Sequence, residues 1–314
     1  MAGLESRAAA DRPAVTFNCE QCGATLAFDG VRTQTCPYCD SPNFVERAPS
    51  ANQPAPQFVL AFTGDATVAR ARLDAWLGSR TWFADGRIRR GAVEQLRGVY
   101  LPAYLYSAVA RTDYTASIGE HYSETETNTV TDAAGNSRTE TRTVTRTEYR
   151  PLAGQHVGYV TDVVVSASAG LANTELGAVE PFDLRGLRRF APALVAGWIA
   201  EEFSRERGEC HQLSRGEASD LLGAKLRTFM PGDSHSDLAW RTTVDWESLD
   251  PILVPVWVLA VRYAPGKPPM RVVINGQTGK VAGHVPLSGM KIAATVIAVL
   301  AAIAGMIILF ARHH

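Results

Sequence analysis

The longest unbroken apolar run lies near the end of the chain, where residues 292–311 (IAATVIAVLAAIAGMIILFA) hold no charge, amide or proline. Twenty helical residues rise about 30 Å, the thickness of a bilayer's hydrocarbon core, so the run predicts one transmembrane helix. Lys291 precedes it, and Arg312, His313 and His314 follow. Upstream the apolar positions are periodic. Val68, Leu73, Trp76 and Leu77 recur at helical spacing within 65–77, and helical sequence is also expected over 192–203 and 217–229. Two apolar, aromatic stretches, LPAYLY at 101–106 and VPVWVL at 254–259, predict strands with proline in the same place and an aromatic residue two positions later.

Each of these strands follows predicted helical sequence, so the pattern predicts two related helix and antiparallel-sheet units over 58–286. The second closes in a meander: a strand at 253–263, a turn at 264–269, a strand at 270–274, a Gly-rich turn over Asn275 to Gly279 and a strand at 280–285. The first carries an insertion at 123–149, where threonines alternate with charges on both sides of Asp132 to Asn136. That pattern predicts a long β-hairpin with two polar faces. Residues 47–57 (RAPSANQPAPQ) read as a proline-rich linker and residues 1–16 as a flexible N-terminus.

Cysteine chemistry changes the picture most. Cys19, Cys22, Cys36 and Cys39 form two C-x-x-C pairs separated by 13 residues, the spacing of a rubredoxin-like zinc ribbon over 17–46. Each pair turns two sulfurs toward one point. The segment between supplies a short hairpin, with Leu26 and Phe28 alternating before an Asp29-Gly30 turn. Disulfides and an iron–sulfur cluster are the competing readings. The N-terminal residues lack the apolar core of an export signal, which favours reduced thiols and zinc. Four protein ligands close the coordination shell, so the predicted zinc is structural.

Hydrophobic residues make up 46% of the chain and charged residues 20%, as in ordinary globular sequence, and the net charge of −1 gives no global attraction to nucleic acid. The ribbon is itself acidic: Glu20, Asp29, Asp40 and Glu46 face a single base, Arg32. Phosphate binding needs cationic side chains that release counterions, so the ribbon is expected to contact protein rather than nucleic acid. Arg185, Arg188 and Arg189 with Phe190 form a separate basic segment.

No catalytic constellation is legible: the chain contains no G-x-S-x-G, H-E-x-x-H or Walker motif. The adjacent Cys210 and His211 point apart on one chain and make a poor nucleophile–base pair. Asp245, Glu247 and Asp250 around Trp246 read as a solvated turn. The protein is therefore expected not to be an enzyme.

The order of these features resembles a family of bacterial membrane proteins with a TFIIB-type zinc ribbon. The resemblance rests on the four cysteines, on Leu101 to Tyr104, on Glu180 to Leu184 (EPFDL), on Leu253 to Trp257 and on Asn275 to Val281 (NGQTGKV). Asp40 departs from it, standing where such knuckles often carry glycine, and the hairpin departs as well. The resemblance implies a role at the membrane, where relatives are similar to components that accompany flotillin-like and phage-shock scaffolds.

The expected fold is α+β: ribbon, two related units and a membrane helix. The expected function is that of a single-pass, tail-anchored adaptor at the cell membrane, its bulk cytoplasmic, recruiting cytoplasmic or membrane-associated proteins. The small residues Ala301, Ala302, Ala304 and Gly305 would also let copies of the helix associate. The rival readings are a nucleic-acid-associated factor at the membrane and a hydrolase whose site is assembled from distant residues.

Overall fold

The computed structural model describes residues 16–27, 35–47, 53–79, 96–131, 137–261, 270–284 and 289–313. The expected turns at 29–30, 132–136 and 264–269, the first 15 residues and part of the linker lie outside this set. The chain is mixed α+β. Its strands are β1 (Thr16–Cys19), β2 (Thr25–Ala27), β3 (Phe44–Arg47), β4 (Phe58–Val59), β5 (Arg97–Thr131), β6 (Ser137–Ser166), β7 (Arg188–Arg189), β8 (Ile199–Glu201), β9 (Ser234–Val261), β10 (Met270–Asn275) and β11 (Val281–Gly283). Its helices are α1 (Ala66–Ser79), α2 (Asn173–Val179), α3 (Arg207–Thr228) and α4 (Gly289–His313).

The chain divides into two compact units, but not in sequence order. The first holds Met1–Leu105, Val164–Cys210 and Asp250–His314; the second holds Tyr106–Val163 and His211–Leu249. Both proline-bearing strands thus fall in the first unit, one within β5 and one within β9, and β5 and β9 are neighbours in its sheet. The similarity between the two stretches reflects a shared environment at the centre of one sheet rather than two successive units.

In the first unit the strand order is β11-β10-β9-β5-β8-β2-β1-β3. Central strands buried on both faces lose the alternation of half-exposed ones, and this explains the unbroken apolar run from Ile252 to Ala260. Val254, Val256 and Val258 pack with Leu101, Ala103, Leu176 and Val179 on one face. Trp257 and Leu259 pack with Leu73 and Leu77 of α1 on the other. The buried stripe of α1 is Ala69, Leu73 and Leu77, whereas Val68 is exposed. Alanine hides the true periodicity, because a small residue can face a core as readily as a large one. Asp65 caps α1, accepting from the amides of Thr67 (2.9 Å) and Val68 (3.0 Å).

The expected helix over 192–203 is absent. A short 3-10 turn at Pro192–Leu194 ends at Gly197, whose φ is +80°, and the chain then enters β8. Pairing of β8 with β2 and β5 overrides the local alanine-rich helical preference. The two motifs EPFDL and NGQTG meet in this unit. The Asn275 amide donates to the carbonyls of Val179 (3.0 Å) and Pro181 (3.1 Å), and its side-chain oxygen accepts from the amides of Gln277 and Thr278. Asn275 therefore forms the turn and fastens it to the segment after α2 in one step.

In the second unit the outer parts of β5, β6 and β9 carry α3 on one face. Ala108, Ala110, Thr112, Ala116 and Ile118 of β5 are buried, as are Ala218, Leu222 and Leu226 of α3. The polar hairpin at 123–149 is the far end of two strands that run continuously from Arg97 and to Ser166, not a separate insertion. Its described side chains are mostly exposed, and Arg146 bridges Glu124 and Glu126 along it.

Of the expected membrane helix at 292–311, α4 covers the backbone, but the side chains of 292 and 307–311 lie outside the described residues. Among the described residues no helix is long and apolar enough to cross a membrane.

The packing of α1 is directly testable. Leu73→Ala should cost about 2–5 kcal/mol in denaturant unfolding and Val68→Ala less than about 0.5 kcal/mol. Equal effects would mean that the stripe is wrongly assigned.

Candidate metal centre

Two loops with the same backbone wiring build the cysteine site. In the first, the Gly23 amide donates to the Cys19 carbonyl (2.9 Å) and the Cys19 amide to the Ala24 carbonyl (2.8 Å). In the second, Asp40 donates to Cys36 (2.9 Å) and Cys36 to Ser41 (2.8 Å). The fifth residue of each loop is left-handed, Gly23 with φ +77° and Asp40 with φ +57°. Aspartate is among the few side chains that tolerate this region, and this is how the second knuckle forms without glycine.

The wiring brings Cys19, Cys22, Cys36 and Cys39 together as the sequence spacing predicts, all four sulfurs within 4.8 Å of one another. The Sγ atoms of Cys19 and Cys39 are 3.6 Å apart, as are those of Cys22 and Cys36. A zinc ion with Zn–S bonds of about 2.3 Å needs sulfurs about 3.8 Å apart at the corners of a tetrahedron. The four cysteines are free thiols on this spacing and could hold a metal ion such as zinc. Backbone amides of Ala24, Tyr38 and Ser41 reach the sulfurs of Cys22, Cys36 and Cys39 and favour their ionised forms. Without a cation the sulfurs compete. Hydrogen bonds from Cys22 and Cys36 pull Cys39 down, while Cys36 is pushed up by the bonds it gives Cys22 and Cys39 and by burial. A cluster in which one thiolate suppresses the next is relieved by a divalent cation.

The site is not a separate module. β2 pairs with β8 through Leu26–Glu201 and Ala27–Ala200, so the ribbon continues the sheet of the first unit. Cys19, Ala24, Leu26, Cys36, Tyr38 and Cys39 belong to the same buried cluster as Leu101, Val254 and Leu176. Tyr38, between the second pair of cysteines, is fully buried and donates to Glu201 at 2.6 Å. Ser168 donates to the other carboxylate oxygen at 2.7 Å. Burial pushes the Glu201 carboxyl up to about 7, against the opposing effect of those hydrogen bonds. On the other side Arg271 of β10 donates to the Tyr38 carbonyl, the Gly170 carbonyl and Glu175, each at 2.8 Å. Glu201 and Arg271 thus hold the second knuckle from two strands.

Sequence reasoning missed both residues. Glu201 falls in the segment read as helix and Arg271 in a plain meander strand; the one available signal was a carboxylate and an arginine inside otherwise apolar strands. It also missed a second polar cluster. Glu247 accepts from Tyr106 (2.8 Å), from Nε and Nη2 of Arg215 (2.9 and 2.5 Å) and pairs with His211 (2.9 Å). Arg215, Tyr106 and His211 hold its carboxyl down near about 2. The expected solvated turn around Trp246 is therefore strand, within β9. Thr242 and Val244 are half-buried, Asp245 and Trp246 both exposed, and Glu247 half-buried again, a parity change of the kind a β-bulge makes. That shift aims Glu247 at α3, where His211 and Arg215 lie one turn apart. Its carboxylate is saturated by donors, which suits fastening α3 to the sheet. Cys210 Sγ instead donates to the Ser166 carbonyl at 3.7 Å, so Cys210 and His211 do serve different partners.

A cleft of about 150 Å³ lies beside the Asn275–Gly279 turn, lined among others by Asp65 and Arg72. Its helix-terminal amides are already occupied by Asp65, which makes it a poor phosphate cradle.

No family model matches the chain, and no solved structure matches it. Among curated proteins the chain is similar to the uncharacterised protein YdjG of Bacillus subtilis (strain 168). The two are 22% identical over 242 residues, covering 76% of this chain and 66% of that protein. The match thus spans just under two thirds of that protein's length.

Two predictions rest on this geometry. Chelation or the Cys36→Ser, Cys39→Ser variant should raise amide exchange in β8 and β5 as well as in 16–47, and lower the melting temperature by several degrees. Exchange confined to 16–47 would show an independent ribbon. Glu201 gives a signed pH effect. Its folded pKa, near 7, lies above the ordinary carboxyl value of about 4.5, so the folded state binds the extra proton and stability falls as pH rises between the two. Glu201→Gln, compared with the parent in excess zinc by denaturant titration, should remove that slope, a difference of roughly 3 kcal/mol across the window. An unchanged slope would show that Glu201 titrates normally.

Proposed function

We propose that this chain is a membrane-tethered zinc-ribbon adaptor. Cys19, Cys22, Cys36 and Cys39 hold a structural zinc ion, the first unit presents the ribbon's outer strand to partner proteins, and α4 fixes the assembly in a bilayer. The observation that carries this reading is the convergence of four sulfurs on one point. Four protein corners fill a tetrahedron and leave no vertex for water or substrate, so the metal serves architecture. What it supports is a sheet edge: β3 is the terminal strand of the first unit's sheet, and Val45 on it is 42% exposed. Terminal strands accept extended peptides through main-chain hydrogen bonds. Thiolate ligands favour a reducing compartment, which puts the bulk on the cytoplasmic face.

The tether rests on α4. Val296, Ile297, Val299, Leu300, Ile303 and Met306 are all exposed, an apolar surface that a lone helix does not sustain in water.

The test uses the full chain in its host with a photo-crosslinking residue at position 45. Membranes washed with carbonate should retain the chain, and a form lacking 289–313 should be released. A discrete set of crosslinked proteins, lost in the Cys36→Ser, Cys39→Ser variant, is the expected result. Crosslinks to nucleic acid in place of protein, or carbonate release of the full chain, would sink the reading.

A further inference from the structure

The 17 residues from Leu184 to Ala200 contain three arginines and no acid. Arg188 and Arg189 form β7, both side chains exposed, and Arg185, also exposed, pairs with Asp183 at 2.8 Å. Beyond them runs Ala191 to Gly197 (APALVAG), every residue exposed except Val195, which is half-buried; Leu194 is 46% exposed. This apolar tip is ordered. Phe190 donates to the Gln57 carbonyl at 2.8 Å, Leu194 to Ala191 at 2.9 Å and Trp198 to Val195 at 3.1 Å. The Trp198 ring stacks on Phe62 at 4.1 Å between centroids, so the base of the loop is locked.

An apolar tip rooted in arginines has a specific chemistry. The tip gains by leaving water, while the guanidinium groups gain by meeting phosphates at the depth where the tip ends. A nucleic acid would satisfy the arginines and leave Leu194 and the alanines in water; a protein pocket would need no cationic rim. We infer that residues 188–198 form a second membrane contact, a preformed wedge that docks on anionic lipid headgroups and seats Leu194 in the interface. The inference goes beyond the tether and rests on that reading for the nearness of a bilayer.

The test uses the full chain reconstituted in vesicles of phosphatidylcholine alone or with about one third phosphatidylglycerol, read by hydrogen–deuterium exchange. Peptides covering 190–198 should exchange several-fold more slowly with anionic lipid. Arg188→Glu with Arg189→Glu, and separately Leu194→Asp, should abolish the difference while exchange in β9 and β10 stays as in the parent. Carbonate extraction of the same vesicles reads α4 separately, so loss of the tether and loss of the wedge are distinguishable. Equal exchange in both lipids overturns the inference, as does protection of 190–198 by an added duplex oligonucleotide but not by lipid.

Discussion

The first unit depends on one seam. A three-residue strand, β8, is paired to the ribbon on one side and to the long β5 on the other, and Glu201 at its end binds the buried Tyr38 hydroxyl. A strand that short contributes little by itself; isolated pairings of two or three residues are marginal in water. It persists because the knuckle fixes Tyr38, and the knuckle persists because its four sulfurs are drawn to one point. Each requires the other, so knuckle and sheet order together. Burying an unpaired carboxylate would be costly, which makes Glu201 intolerant of any state in which Tyr38 has moved.

This coupling changes what the four-cysteine ribbon means here. A ribbon on a linker is a portable recognition element, and its loss leaves the rest of the protein intact. A ribbon whose Leu26 and Tyr38 share a core with Leu101 and Val254 is part of the domain. Its outer strand β3 is the terminal strand of the same sheet that carries α1, α2 and the Asn275 turn. The Arg271 fork ties the second knuckle at Tyr38 to Gly170 and to Glu175 of α2, residues far apart along the chain.

The metal site was legible because its information is local. Two cysteines in a C-x-x-C turn have few places to point, and Asp40 signals its left-handed position by being one of the residues that tolerates it. The central strands were legible in place but not in relation: LPAYLY and VPVWVL look like repeats because both lie at the centre of one sheet, a long-range fact that no window of sequence contains. The segment 192–203 misled because alanine and leucine favour helix, while its outcome was set by partners at 26–27 and 99–100. Glu201, Arg271 and the Glu247 cluster were invisible for the same reason: Tyr38 and Ser168 lie 163 and 33 residues from Glu201, Tyr38 lies 233 from Arg271, and Tyr106 and Arg215 lie 141 and 32 from Glu247. The consecutive exposed residues Asp245 and Trp246 made a strand look like an acidic turn.

Charge completes the picture of the first unit. The described acids of the ribbon, Glu20, Asp40 and Glu46, lie at the β3 end of the sheet, and a zinc tetrathiolate adds about two further negative charges. The arginines of β7 lie beyond β4, which pairs with β9. Residues 188–198 run directly into β8, which is three strand spacings from β3, about 14 Å at roughly 4.8 Å each. That is within two Debye lengths of about 8 Å at physiological salt, so the acids of the ribbon and the arginines of β7 are only partly screened from one another. On the proposed reading, an anionic bilayer would attract the arginine loop and repel the acidic β3 edge, which would leave that edge open for an incoming strand to pair.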